Sequence, residues 1–214
     1  MLDQSLEDVL EQLRRAFPPG PFLDRRLGRA FAFQALYEMD LAHHAPESVL
    51  DRLASGMKEP GQTAYPAEIL AGATEYATAL VRGVLACRPK IDALIHERAP
   101  LWPLAQMSAV DRNALRIGLY ESLFGNATVP LRTAINEAVE LAKLFGSETS
   151  AKFVNGVLGR AVEAGMDGSP EPRSSGAAGR PQPPDPACPP DNNHTQPPTS
   201  AGSGERGLDD GHER

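Results

Sequence analysis

The sequence predicts an all-α protein followed by a disordered C-terminal tail. Three observations carry that expectation. Ala and Leu are plentiful, aromatics make up only 6% and runs of β-branched residues are scarce, a composition that favours helix over strand. Apolar residues recur at three- and four-residue steps in segment after segment, with no clear alternating pattern and no internal repeat. The last 48 residues, Asp167–Arg214, hold ten Pro and seven Gly but no aromatic, Val or Ile. Such a segment buries too little apolar surface to offset the ~1–2 kcal/mol per residue that ordering a backbone costs.

The elements follow in order. Leu2, Leu6, Leu10, Leu13 and Phe17 form one helical face, ended by Pro18-Pro19-Gly20-Pro21. A second helix is expected over Phe22–His43, with Leu27, Phe31, Ala35 and Met39 in register, and a short third over Glu47–Met57. A longer pattern from Pro66 to Arg88 places Ile69, Ala73, Ala77, Leu80, Val84 and Leu85 on its apolar side. Pro89 is expected to interrupt it, leaving a brief helix over Lys90–Arg98 that stops at Ala99-Pro100-Leu101-Trp102-Pro103. Ser108 and Asp111 have the spacing of a capping box and open a helix to about Phe124, where Gly125-Asn126 suits a C-terminus. Pro130 opens the next, with Ile135, Val139 and Ala142 on one face, a Glu140–Lys143 pair on the other, and Phe145-Gly146 at its end. Ser147 caps a last helix carrying Phe153, Val154, Val157, Leu158, Ala161 and Val162. The total is seven or eight helices.

Composition narrows the function classes. The net charge is −7, so the chain is no generic polyanion binder and a nucleic-acid site has to be a local patch. The tail holds four basic and eight acidic residues, which leaves 17 basic and 20 acidic side chains in the first 166 residues. No apolar stretch approaches the ~20 residues a membrane helix needs, and the acidic, amphipathic start is unlike a cleavable signal peptide. The expectation is a soluble cytoplasmic protein without a membrane partner. Cys87 and Cys188 are too few and too far apart for a disulfide framework or a zinc cluster. Cys87, without an evident His partner, reads as a small core or surface residue.

Catalytic motifs are missing from the sequence. His96-Glu97 opens like a zincin motif, but Pro100 stands where the second His belongs. His43-His44 sits at a helix end, and adjacent residues make poor joint ligands. There is no Walker-A loop, no GxGxxG and no GxSxG elbow. A non-enzyme is expected, with no catalytic residue, metal or cofactor.

One basic cluster stands out. Arg25, Arg26 and Arg29 share a side of the second helix near its start, with Arg14 and Arg15 shortly before. Basic charge there opposes the helix dipole, and the guanidinium fork suits phosphate. The three are expected on a polar face, so that removing them spares the fold. The bland alternative is a solvated face paired with Asp24 or other acids. Tyr37, two turns beyond Arg29, could stack on an unpaired base, although packing is the simpler role. Lys152 with Arg112 and Arg116 forms the next basic set. Asn155-Gly156 inside the last helix suggests close helix–helix packing, since Gly costs a helix interior about 1 kcal/mol.

Four blocks in order resemble a known family. They are Arg25-Arg26-x-x-Arg29-Ala-Phe-Ala-Phe-Gln34-Ala-Leu-Tyr37-Glu38, Val110-Asp111-Arg112-x-x-Leu115-Arg116-Ile-Gly-Leu-Tyr120-Glu121, Ile135-Asn136-Glu137-Ala138-Val139-Glu140-Leu141-Ala142-Lys143-x-Phe145-Gly146 and Ser150-x-Lys152-Phe153-Val154-Asn155-Gly156-Val157-Leu158. From about Leu23 to Ala164 the chain resembles the bacterial transcription antitermination factors of the NusB family. The resemblance implies two small helical bundles packed together. It implies pairing with ribosomal protein NusE, binding of single-stranded boxA-type RNA on nascent ribosomal transcripts, and read-through by RNA polymerase within its antitermination complex.

Carried over to matching positions, Arg25, Arg26 and Arg29 correspond to the family's arginine-rich RNA-binding segment. Tyr37 corresponds to an aromatic beside both the RNA and NusE surfaces, Asp111 to an acidic NusE contact, and Lys152 and Phe153 to positions near the RNA. Leu27 and Gly28 interrupt what is often a denser basic run. The implied organisation is an amphipathic extension over 1–19, a helical RNA-binding domain over 22–165 and the tail over 167–214. A homodimer is compatible with the family, and the apolar face of Met1–Phe17 suits either packing on the core or joining two chains. Ribosomal RNA methyltransferases that open with such a domain need a Rossmann-like domain and a catalytic Cys, where this chain has its tail. The remaining rival is a helical protein-binding adaptor without RNA affinity, against which the arginine triplet argues.

Overall fold

The computed structural model describes residues 13, 15–56, 65–125, 129–166 and 188, and among these it contains six helices and no strand. They are α1 (Leu23–Ala42), α2 (Pro46–Gly56), α3 (Ala67–Arg98), α4 (Ala109–Leu119), α5 (Leu131–Phe145) and α6 (Glu148–Met166). A π-helical turn, Tyr120–Phe124, prolongs α4 and closes with the Gly125 N–H on the Tyr120 carbonyl at 2.6 Å. Most of the expected N-terminal helix and the tail apart from Cys188 lie outside the described residues. Leu13 and Phe17 are buried in the core, so the end of the extension packs on the domain.

Two expected helices are one. α3 runs 32 residues straight through Pro89. An internal proline forfeits a backbone hydrogen bond at a cost of about 3 kcal/mol. Val84, Cys87, Ile91 and Ile95 on either side of it are fully buried, and each such side chain contributes roughly 1.5–3 kcal/mol. Burial across the join therefore outweighs the lost bond. The same continuity corrects the expectation about membrane length: α3 is long and apolar enough to cross a membrane by length and composition. Its apolar side, from Leu70 to Ile95, forms the core instead.

α1 packs along α3 with α2 at their edge, and α4, α5 and α6 pack on one another as the second bundle. α4 leans on both α1 and α3, which joins the two bundles through one continuous core. Close approach depends on glycines, two of them on α1 and α3. A Cβ at Gly28 would lie 2.8 Å from the Ala73 carbonyl oxygen of α3, and one at Gly83 would overlap the Tyr120 hydroxyl. On α5 the buried face is Ala134, Ala138, Leu141 and Ala142, while the expected Ile135 and Val139 are only half-buried. α5 packs against both α4 and α6 and also meets α1, which shifts its core stripe.

Cys87 and Cys188 form a disulfide, with Cα atoms 5.1 Å apart across 101 residues. Cys87 is a fully buried core residue, one of the two expected alternatives, and its pairing with Cys188 is an addition to that reading. Cys188 packs against the core beside α3.

Candidate nucleic-acid interface

The site begins at the first turn of α1. Phe22 precedes it in the left-handed conformation (φ 65°) with its side chain exposed, and its carbonyl accepts from the N–H groups of both Arg25 and Arg26 at 3.1 Å. The three arginines then diverge. Arg26 is exposed; its Nε donates to Glu137 of α5 at 3.1 Å, and its guanidinium lies 5.9 Å from the centre of the buried Phe17 ring. Arg25 is half-buried, with its guanidinium 4.5 Å above the Tyr76 ring of α3.

Arg29 turns inward, which corrects the expectation of a shared polar face. It is only 4% exposed. Its Nε donates to both carboxylate oxygens of Glu121, at 2.8 and 3.1 Å, and a terminal nitrogen donates to the Tyr76 hydroxyl at 3.3 Å. Glu137 lies 3.7 Å from its other terminal nitrogen, and the Tyr76 hydroxyl donates to Glu121. Burial alone would disfavour the Arg29 charge, but Glu121, Tyr76 and Glu137 outweigh it and hold its pKa above the ordinary value. Burial and the neighbouring Glu121 carboxylate push the Tyr76 phenol up, so it stays a neutral donor.

This network is built by elements distant in sequence. The π turn places consecutive residues, Tyr120 and Glu121, both in the interior. Glu121 and Glu137 were not singled out as site residues. Glu137 carries the signal that could have found it, a carboxylate at the step between Ala134, Ala138 and Leu141 on the apolar side of α5. A buried carboxylate needs a cation.

A second network disposes of the other basic set. Arg116 is buried; it holds both oxygens of Asp92 at 2.8 and 2.9 Å and reaches Asp40 at 3.0 Å. Arg112 donates to Asp40 at 3.0 Å and to the carbonyls of Leu104 and Met107. Both arginines clamp α4 onto α1 through Asp40, so their guanidiniums are engaged within the fold. Lys152 is different: it is exposed on α6 and paired with an equally exposed Glu148.

The remaining predicted residues lie on α1, α4 and α6. Tyr37 is half-buried, stacked on Phe33 with ring centres 6.3 Å apart, and Phe33 stacks on Phe145 of α5 at 4.5 Å. Ser108 caps α4 by accepting from the Asp111 N–H at 3.0 Å. One Asp111 carboxylate oxygen is buried without a hydrogen-bond partner. Phe153 is half-buried and meets Trp102 edge-on. Beside Lys152, a groove of about 470 Å³ between α5 and α6 is bordered by Val139, Lys143 and Asn155. Asn155 and Gly156 are exposed, and a Cβ at Gly156 would meet nothing within 4 Å, so this pair does not serve helix packing.

The histidines take local roles. His43 ends α1 in the left-handed conformation (φ 54°), and the His44 ring lies 2.6 Å from Glu38, which Arg52 also contacts. Partial burial opposes ionisation of Glu38, but the hydrogen bonds from His44 and Arg52 prevail and hold its carboxyl below the ordinary range.

Comparison with known proteins matches residues 26–163 to the sequence model of the NusB family. The transcription antitermination protein NusB of Dehalococcoides mccartyi is 42% identical over 143 residues, 67% of this chain and 92% of that protein. A solved structure of T. maritima NusB superposes with a TM-score of 0.55 at 34% identity, covering 65% of this chain and 90% of that one. A chain from a crystal structure of antitermination factors NusB and NusE in complex with double-stranded RNA superposes with a TM-score of 0.55 at 27% identity, covering 66% and 97%.

Proposed function

The chain belongs to the NusB family, and from that premise we propose that it is a transcription antitermination factor. Together with ribosomal protein NusE it binds the boxA element of nascent ribosomal RNA, as a single strand, and promotes read-through by RNA polymerase. Such a partner places its work in the cytoplasm. The observation that carries this reading is the family match over 26–163, which spans Arg26, Arg29, Tyr37, Asp111, Lys152 and Phe153.

The geometry supports a division of labour within residues 22–165. Arg26 and Arg25 meet phosphate. Arg26 is exposed and its pair with Glu137 is partly solvated, so redirecting it costs little. Lys152 supplies a further phosphate contact and Phe153 and Tyr37 offer rings to bases. Arg29 acts from below: it neutralises Glu121 and Glu137 and fixes the first turns of α1. NusE meets Tyr37 and Asp111, both of which are half-buried and keep part of their side chains at the surface. The tail over 167–214 stands outside this binding unit.

RNA binding with and without NusE, at two salt concentrations, tests the reading. Affinity should fall with salt at a log–log slope of about −0.7 per phosphate neutralised, and NusE should strengthen it. NusE binding without any RNA affinity would make the chain a protein adaptor instead.

A further inference from the structure

We propose that Trp102 is a stacking platform for an unpaired RNA base, extending the RNA surface beyond Phe153 and Lys152. The proposal rests on the RNA-binding reading above. Trp102 is 56% exposed and its neighbour Leu101 is 88% exposed, although both belong to the large apolar class that a fold normally covers. The loop that presents them is pre-organised. Ala99 is buried at its root, the Trp102 N–H donates to the Ala99 carbonyl at 2.9 Å, and the N–H groups of Gln106 and Met107 donate to the Pro103 carbonyl. Pro100 and Pro103 fix φ on either side. A ring held in this way loses little freedom when a ligand covers it.

The Trp102 ring meets Phe153 edge-on, with centres 5.8 Å apart and planes at 64°. Trp102 is thereby continuous with α6, where Lys152 stands next to Phe153 with its ammonium exposed. A further cationic residue leads into the loop along the chain. Arg98, at the end of α3, has a partly exposed side chain whose terminal nitrogen lies 3.2 Å from the exposed carboxylate of the adjacent Glu97. An exposed indole in contact with Phe153, in a loop that follows Arg98 along the chain and meets the helix carrying an exposed Lys152, has the composition of a single-strand site, where bases stack and phosphates meet cations. A protein hot spot of this kind is instead ringed by near-neutral contacts that exclude water.

Trp102 is the chain's single tryptophan, so its emission reports on this spot alone. Full-length protein is titrated, without NusE, with boxA-type single-stranded RNA, and binding is followed in parallel by the anisotropy of labelled RNA. Emission should be quenched and saturate together with the anisotropy. Trp102→Ala should weaken RNA binding by roughly 5- to 100-fold, and Trp102→Phe, which keeps a ring, should stay within about threefold of the parent. If Trp102→Ala loses helicity by circular dichroism, the emission and the Phe variant decide. RNA that binds the parent with unchanged emission overturns the proposal and leaves the RNA reading intact. So does a Trp102→Ala variant with parental RNA affinity, and if that variant has lost NusE binding, the patch belongs to the protein partner. A parent that binds no RNA removes both.

Discussion

Arg26 and Arg29 lie three residues apart on α1, yet one faces water and the other is sealed between α3, the π turn and α5. Removing one partner of a buried pair leaves a charge without compensation, so Arg29→Ala should cost about 3–5 kcal/mol in denaturant unfolding. Changing Arg25 and Arg26 together to Ala should leave the unfolding midpoint nearly unmoved. That double variant should also flatten the RNA salt slope by about 1.4 units if each meets one phosphate. Glu38 gives a pH signature. Its folded-state pKa lies below the ordinary 4.5, so its contribution is fully present above 4.5 and is lost as pH falls through the depressed value. Glu38→Gln should therefore be less stable than the parent at neutral pH and converge with it in acid, as read by urea unfolding across that range. The arginine triplet was legible in the sequence as a cluster. Its division was not, because helix periodicity gives relative direction and says nothing about which carboxylates arrive from 92 and 111 residues away.

At the scale of elements, the join between the π turn and α3 is the tightest contact. A Cβ at Gly83 would overlap the Tyr120 hydroxyl, and overpacking of this kind costs typically 1–3 kcal/mol. Gly83→Ala should thus lower the midpoint clearly. Gly156→Ala is the converse: the space around it is open, so the variant should gain up to about 1 kcal/mol in helix propensity. Thermal melts of the two variants give opposite signs if the α3–π-turn contact and the open face of α6 are as described. The Asp111 backbone N–H is capped by Ser108, while its carboxylate has an oxygen without a partner. Asp111→Asn keeps that backbone N–H and a side-chain acceptor, so the fold should survive and NusE affinity should fall. Unchanged NusE affinity would leave Asp111 with only its backbone N–H donated to the Ser108 cap.

Over the whole molecule, the disulfide decides how the tail relates to the domain. A closed loop of about 100 residues restricts the unfolded chain by about 4–5 kcal/mol in the chain-entropy account. Truncation after Gly165 removes Cys188. The truncated and full-length proteins should unfold at the same midpoint in reducing buffer, and the full-length protein should be the more stable in oxidising buffer. A truncated protein that loses stability even when reduced would mean that the residues beyond Gly165 bury apolar surface of their own. The two bundles themselves share one core, so the domain should unfold in a single transition by both circular dichroism and Trp102 emission.

Helix positions, the Ser108 cap, the ends at Phe145-Gly146 and the surface pair Glu140–Lys143 followed from the sequence alone, because periodicity, capping and i,i+3 pairing act within a few residues of chain. The order of four motif blocks likewise carried the family. Tertiary structure decided what depends on distant residues. Pro89 stays within α3 because flanking side chains are buried on both sides, and α5 turns its core stripe because several helices press on it. Arg29, Arg112 and Arg116 leave the basic surface because Glu121, Glu137, Asp40 and Asp92 meet them from other helices. A buried charge is placed by its partner, and the partner's position is a property of the packed fold.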